Sequence, residues 1–566
     1  MSVFQVHFIW FLVFLLCTLM SLVLTLYSSL NMVSWLVSFD LFSLWSMDMN
    51  ISFYLDWMAM TFMTTVMLIS TIIMVYSYNY MYPYSKSYYF LWITILFVVS
   101  MILVITMSNM VYAMLGWDGL GLVSFFLIVY YQNNSSIVSG IFTLLMNRIG
   151  DSFFLVTLVL LFYTYDDFFS FSSSLPSFSL LIFLLLTFIT KSAIFPFSPW
   201  LPLAMAAPTP ISALVHSSTL VTAGLYLMMR FSYLFYSNTT IMNSLLLLSI
   251  FTSLYAGLNT VFEMDLKKLI ALSTLSHLGF IGMAYSAGLL YLSFFHLLAH
   301  ALFKSLLFMT MGDIMINLNH SQDIRYLSSG SLMTPFSSLL MSVSIMNLLG
   351  IPSMTGYFSK DLVLECMNYS NLSMFIMSIV YVNVLMTYYY SYKLFYYSFQ
   401  SVKFNPYQLF HSPVLLHSIL MSLLGLSTLF FTYVYMNMVY LSVLFYPVVY
   451  TVKFLPLLLN ISLFIYLCVF LCLPTVLRKS VSSYFSSMLF LSPICMSLMP
   501  KFYYNTMFNS VISIEPRFLN QLMHNSSFTY FTPLLTQFYK SMLNPYYSLY
   551  FSLFIFILLL SVVWLL

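Results

Sequence analysis

Apolar stretches of about 20 residues, the length that crosses a bilayer as a helix, recur from one end of this chain to the other. They fall near residues 4–26, 58–80, 88–108, 110–131, 137–164, 179–197, 210–235, 242–262, 268–290, 294–316, 333–352, 358–368, 372–398, 412–436, 452–476, 483–498 and 546–566. Some of the shorter ones read as halves of one helix, which gives roughly 14–16 spans. The pattern predicts an all-α polytopic membrane protein. Two apolar runs are interrupted. In TKSAIFPFSPWLP, Lys191 is followed by Pro196, Pro199 and Pro202; in NLLGIPSMTGYFSKDLVLE, Gly350, Pro352 and Gly356 precede Lys360. Proline removes a backbone donor and glycine relaxes the chain. Non-helical backbone at membrane depth is tolerated only where it is buried in protein or lines a wet cavity. Two broken helices, each with a lysine and in successive halves of a five-span pattern, predict an inverted repeat of the transporter type.

The polar positions add a second picture. Residues 499–545 hold Lys501, Glu515, Arg517, His524 and Lys540 among many Asn and Ser, too polar to cross lipid. This stretch reads as a long amphipathic helix lying along the membrane or against partner subunits; an ordinary extramembrane loop is the alternative. A last apolar span follows to Leu566. The N-terminus has no basic region and no small-residue cleavage site, so it reads as a first span and not a removed signal peptide.

Composition narrows the function classes. The chain is 62% hydrophobic and 5% charged, with a mean hydropathy of +0.98, which excludes a soluble domain. The net charge of +3 is scattered, so no basic patch points to nucleic acid. Cys17, Cys366, Cys468, Cys472 and Cys495 sit mostly in apolar surroundings. Cys468 and Cys472 have helical i, i+4 spacing but no His or carboxylate beside them, and read as packing residues, not an iron–sulfur site. No glycine-rich loop follows a strand, so the chain offers no place for NADH, flavin or ATP.

The candidate chemistry lies inside the spans. Residues 295–308, FHLLAHALFKSLLF, place His296, His300 and Lys304 at i, i+4 and i+8, on one helical face. A lysine at mid-bilayer costs roughly 2.5–3.5 kcal/mol on insertion scales, so such a row points to proton or ion movement. In LGWDGLGLVSF, Asp118 is a carboxylate within an apolar span, and Gly116, Gly119 and Gly121 allow a neighbouring helix close. Lys191 is its natural candidate partner. A change in their separation would change the proton affinity of the lysine, which makes a switch; a static tie between helices is the other reading. His216 stands among Ser212, Ser217, Ser218 and Thr219, either on a water chain or as a hydrogen-bonded structural histidine. Lys360 and Asp361 mark the second break, with Glu365 beyond, as the mouth of an aqueous half-channel or as a helix-end cluster. Arg148 and Asp151 are spaced i, i+3 as a structural pair. Asp265, Lys267 and Lys268 read as a helix-end cluster, and His277 as a weaker relay candidate. No acidic third ligand accompanies His296 and His300, so no metal site is expected.

Six segments, LGWDGLGLVSF, NRIGD, TKSAIFPFSPWLPLAMAAPTPISALVHSSTLVTAG, FEMDLKKLIALSTLSHLG, FHLLAHALFKSLLF and GYFSKDLVLE, together resemble the antiporter-like membrane-arm subunits of mitochondrial NADH:ubiquinone oxidoreductase, respiratory complex I. They run in family order over roughly residues 50–370, and the polar tail with its last span resembles the chain 5 branch. The resemblance implies two inverted five-helix repeats with broken helices, a C-terminal lateral helix and a terminal anchor. The implied domains are 1–85 N-terminal transmembrane helices, 86–235 and 236–398 the two repeats, 399–498 additional helices, 499–545 the lateral helix and 546–566 the anchor. It implies a proton-translocating subunit of the mitochondrial inner membrane, multi-pass, packed against other membrane-arm subunits, especially the neighbouring antiporter-like chain, and against lipid. NADH, FMN, iron–sulfur clusters and ubiquinone are implied for the whole complex, with none on this chain. Carried over by position, Asp118 and Lys191 form the carboxylate–lysine pair, and His216 lies between Lys191 and Lys304. Lys304 with His296 and His300 makes the central relay, and Lys360 with Asp361 stands near the exit. Arg148, Asp151, Glu365 and His277 are supporting residues. Asp118 stands where many members carry Glu, one methylene longer, and His277 where Gln is common. A secondary cation/proton antiporter and a mainly structural brace are the rival functions.

Overall fold

The computed structural model describes residues 3–44, 47–81, 87–164, 177–369, 372–399 and 415–439, with a few between 456 and 462. The expected spans at 483–498 and 546–566, nearly all of 452–476 and the polar stretch 499–545 lie outside them. Within the described residues, ten helices are long and apolar enough to cross a membrane, and Phe178–Lys191, Pro335–Leu349 and His417–Phe431 are shorter apolar helices.

The helices are α1 Val3–Asn31, α2 Trp57–Met81, α3 Ser87–Thr106, α4 Met110–Ile128, α5 Asn134–Thr164 and α6 Phe178–Lys191. The chain continues as α7 Thr209–Arg230, α8 Thr239–Phe262, α9 Leu266–Ser286 and α10 Leu290–Asn317. It goes on through α11 Leu327–Met333, α12 Pro335–Leu349, α13 Leu362–Tyr369, α14 Met374–Phe399 and α15 Leu415–Val439. These helices are apolar on nearly every side, so burial cannot be read from their patterning; packing decides it. The apolar windows of α7 and α10 are wholly buried, against 28% for α1. Thus α10, with His296, His300 and Lys304, lies at the centre of the bundle, and α1 presents an apolar face outward.

The all-α expectation needs one correction. Between α1 and α2 the chain forms an antiparallel hairpin, β1 Trp35–Leu44 and β2 Met47–Leu55, with Trp35 opposite Leu55 and a register shift between Asp40 and Phe42. Polar residues at 38, 40, 43, 50 and 52 interrupt this segment at short intervals, closer to the strand period than to 3.6. The amide of Ser108 donates to Ser52 O at 3.1 Å and ties the hairpin to the turn between α3 and α4.

Arg230, the last residue of α7, holds the hairpin where its second strand runs into α2. Its guanidinium donates to both carboxylate oxygens of Asp56 at 2.6 Å and to Tyr54 O at 3.1 Å, and lies 4.6 Å from the Tyr54 ring centroid. Both side chains are largely buried. Arg230→Met strands a buried carboxylate, and such losses cost about 3–5 kcal/mol. We expect a lower thermal midpoint for the assembled subunit; an unchanged midpoint would show that the bridge is dispensable.

Both expected breaks are present. After α6 the chain turns through Ala193 and Phe197, makes a short turn at Trp200–Leu203 and resumes at Thr209. Exposed carbonyls at a helix end need partners. Trp200 Nε1 donates to Thr190 O at 3.0 Å, and Lys267 Nζ donates to Ala207 O at 3.1 Å. Lys267 therefore turns inward, while Lys268 pairs with Asp265 at 2.8 Å. At the second break α12 stops at Gly350, whose φ of +67° suits glycine. The chain then re-enters a π-helical turn, Tyr357–Asp361, before α13.

Candidate functional site: charge clusters at the two breaks and a buried histidine row

The first cluster forms where α4, α5 and α6 meet. Lys191 is fully buried as the last residue of α6. Its ammonium donates to Trp117 O at 2.7 Å and lies 4.7 Å from the Trp117 ring centroid. Glycine at 121 makes room, since a Cβ there would stand 3.3 Å from Lys191 Nζ. Gly116 and Gly119 likewise admit α3, with Ser100 O 2.9 Å and Ser100 Cβ 3.1 Å from their built Cβ positions. Asp118 takes a different partner from the one expected. Arg148 reaches Asp118 at 3.5 Å and Asp151 at 3.4 Å, and so bridges both carboxylates. Lys191 still feels the charge of Asp151 and Asp118. The cluster is thus a quartet of two carboxylates and two cations, with Lys191 anchored on a backbone carbonyl. Arg148 hydrogen-bonds across helices, which its i, i+3 spacing from Asp151 did not reveal.

His216 is buried in a π-helical stretch, Ser212–Thr219, inside α7. The wide turn shows in Leu220, whose amide reaches Val215 O; such bulges are frequent at functional sites. The hydroxyls expected to surround the histidine bond their own helix instead. Ser212 donates to Thr209 O at 2.8 Å, Ser218 to Leu214 O at 2.9 Å and Thr219 to Leu214 O at 2.7 Å. Both His216 ring nitrogens lack a protein hydrogen-bond partner, and Trp200 stands edge-on, with ring centroids 6.2 Å apart.

The third group runs along α10. Lys304 Nζ donates to Ser273 Oγ of α9 at 2.5 Å and lies 5.8 Å from the Tyr390 ring centroid. His277, one helical turn beyond Ser273, sits between the α10 histidines: its ring centroid is 5.5 Å from that of His296 and 5.6 Å from that of His300. His277 Nδ1 is 3.3 Å from His296 Nε2, and His296 Nδ1 is 2.9 Å from Ser359 Oγ. Ser359 is followed by Lys360, which donates to Thr387 Oγ1 and lies 4.2 Å from the Tyr388 ring centroid. Asp361 and Glu365 are buried beside it. Lys304, His300, His277, His296, Ser359 and Lys360 are all buried, and ring contacts or hydrogen bonds link His300, His277, His296 and Ser359 in turn. His277, a weaker relay candidate in the sequence, stands against both α10 histidines, and Ser273, Ser359, Thr387 and Tyr388 are the further neighbours of these groups. The hydroxyl-rich run Thr387–Ser391 within an apolar span was the available signal.

Buried lysines beside two broken helices, in a bundle of long apolar spans, define an antiporter-like membrane protein. A family model described as NADH:quinone oxidoreductase/Mrp antiporter, TM, matches residues 107–387. NADH-ubiquinone oxidoreductase chain 5 of Locusta migratoria is 44% identical over 369 residues, 63% of this chain and 64% of that one. The chain 5 of Anopheles arabiensis is 44% identical over 344 residues, 60% of this chain and 89% of that one. That of Mytilus edulis is 45% identical over 323 residues, 56% of each chain. The chain belongs to the NADH-ubiquinone oxidoreductase chain 5 family. Its match covers slightly less than two thirds of the Locusta relative's own length. Among solved structures, the Mrp complex from Dietzia sp. DQ12-45-1b aligns with a TM-score of 0.70 at 21% identity, over 92% of this chain and 58% of that one. The archaeal membrane-bound sulfane sulfur reductase aligns with a TM-score of 0.63 at 20% identity, over 69% and 82%. These likenesses concern the fold.

Proposed function

We propose that this chain is a core membrane subunit of NADH:ubiquinone oxidoreductase in the mitochondrial inner membrane. It translocates protons through its buried Lys/His/carboxylate relay, while electrons pass from NADH through FMN and iron–sulfur clusters to ubiquinone in other subunits. The observation that carries this reading is the row from Lys304 to Lys360, which crosses from α9 and α10 to the second break without leaving buried protein. The relay chemistry follows from the ring positions. Ser359 Oγ and His277 Nδ1 contact opposite nitrogens of His296 at 2.9 and 3.3 Å. A proton taken up on one nitrogen of an imidazole and released from the other moves across the ring and leaves the opposite tautomer. The buried nitrogens of His216 and His300 would take water as partner, as buried polar groups require one. Moving one charge against 100 mV costs about 2.3 kcal/mol, so the work is drawn from the redox reaction.

The chain order supports the two-repeat reading. Spans α3 to α7, and then α8, α9, α10, the α12–α13 pair and α14, form two sets of five, and the fourth member of each is broken. The repeats at 86–235 and 236–398, and a neighbouring antiporter-like chain as partner, belong to this proposal. Native electrophoresis of mildly solubilised membranes, with an NADH-oxidation stain and mass spectrometry, tests it. The chain is expected in a very large NADH-oxidising band. Migration alone or in a small inactive band would overturn the assignment and favour a free-standing antiporter.

A further inference from the structure

One intramembrane ionisable pair has no part in the relay above. Asp313 lies on α10, nine residues after Lys304, and faces His417 of α15, with Oδ1 3.7 Å from Nε2. His417 stacks on Tyr76 of α2, ring centroids 5.3 Å apart. The Tyr76 hydroxyl is 3.1 Å from Thr209 Oγ1, at the start of α7 and just before the π-helical stretch that holds His216. Gly312 makes this junction fit, because a Cβ there would stand 1.9 Å from Tyr76 Oη and 2.9 Å from Thr209 Oγ1. Four helices thus converge on a carboxylate, an imidazole, a phenol and a hydroxyl in line.

Ionisable groups inside a membrane are costly and mark ion or proton pathways. A structural tie needs no titratable pair here, since an apolar contact would serve as well in lipid. The junction also lies toward the end of α10 where the chain leaves the bundle: His320 follows α10 and packs on Tyr80, four residues from Tyr76, with ring centroids 6.1 Å apart. We propose that Asp313 and His417 form a proton-holding site, on a side branch that runs through Tyr76 and Thr209 toward His216. It rests on the proton-translocating reading above. In the step, the O–H of the Asp313 carboxyl breaks and an N–H forms on His417 Nε2, through one water that spans the 3.7 Å between them. The product is a carboxylate–imidazolium pair, and no other reactant is needed. The groups facing the pair are Tyr76 and Tyr80 of α2, with Tyr131 after α4 and Asp313 itself within electrostatic reach of Tyr76. Lys267 and His320 lie beyond, toward the loop, and feel one another.

The test uses the assembled complex in sealed membrane particles, with protons moved per NADH followed as a function of pH. Asp313→Asn and His417→Gln are each expected to lower that ratio and to flatten its pH profile. NADH oxidation should persist, the double variant should be no worse than either single, and Asp313→Glu should restore the ratio. An unchanged ratio and pH profile, in particles where Lys304→Met stops pumping, would overturn this site alone. Pumping that survives Lys304→Met would instead overturn the parent reading. If the variants do not assemble, the unaltered complex is treated with dicyclohexylcarbodiimide, which attacks protonated carboxyls in apolar surroundings. Labelling of Asp313 that falls as pH rises supports the site; an unlabelled Asp313, or labelling that ignores pH, overturns it.

Discussion

Exchanging Lys304 for methionine is expected to stop proton translocation in a subunit that still folds and assembles. Lys304 is fully buried, and among the described residues its ammonium hydrogen-bonds only Ser273 Oγ, at 2.5 Å. Methionine has nearly the same length and suits the Tyr390 ring beside it. Replacing a buried ion by a well-packed apolar group is often neutral or stabilising. The proposed relay loses its central carrier, however, and a positioned acid–base group is worth about 10²–10⁴ in rate. The informative companion is Lys304→Arg. It keeps the charge but holds its proton throughout the physiological range, so it is expected to block pumping as fully as methionine does. If Lys304 were only a counter-charge for packing, arginine would restore function. Proton release per NADH in sealed particles decides between them, and full pumping by the arginine variant would remove Lys304 from the relay.

Gly356→Ala is expected to prevent correct assembly. A Cβ at this position would stand 1.7 Å from Asn347 O and 2.8 Å from Asn347 C, so backbone would meet backbone. Asn347 has little freedom to retreat: its Nδ2 donates to Val343 O at 3.0 Å, and its Oδ1 accepts from Thr355 Oγ1 at 2.7 Å. The strain would fall on the turn that presents Ser359 and Lys360. Overpacking costs about 1–3 kcal/mol in ordinary cores, and a backbone clash belongs at or above the upper end. The amount of subunit in the large band on native gels measures the effect. Gly121→Ala is the control, since its Cβ would meet only the tip of Lys191, at 3.3 Å. That variant should assemble, with its lysine displaced from Trp117 O. Full assembly of Gly356→Ala would show that the second break has slack that its packing does not suggest.

Much of the site was legible because it depends on local rules. With 5% charged residues the chain can only live in lipid. Proline inside a helix removes a backbone donor whatever packs around it, so the interruptions at Pro196, Pro199 and Pro202 and at Pro352 could be read without knowing any neighbour. The i, i+4 spacing alone put His296, His300 and Lys304 on one face. What failed to show depends on which helices meet. Asp118 was matched to Lys191 on charge, yet Arg148 reaches it from α5 while Lys191 rests on a carbonyl. Serines beside His216 looked like its partners, but hydroxyls in a helix reach their own backbone first. The hairpin at 35–55 fell in the gap between the expected spans 4–26 and 58–80, where no strand was expected.

The amino-acid order by itself determined that the chain crosses a membrane many times, where its helices break, and that His296, His300 and Lys304 share one helical face. These follow from hydropathy, backbone chemistry and helical spacing, all local in the chain. Tertiary structure alone decided that His277 stands between His296 and His300, that Ser359 meets His296, and that Asp313 meets His417. Those groups lie on different helices with apolar surfaces all round, and only the packing of one helix against another chooses which faces touch.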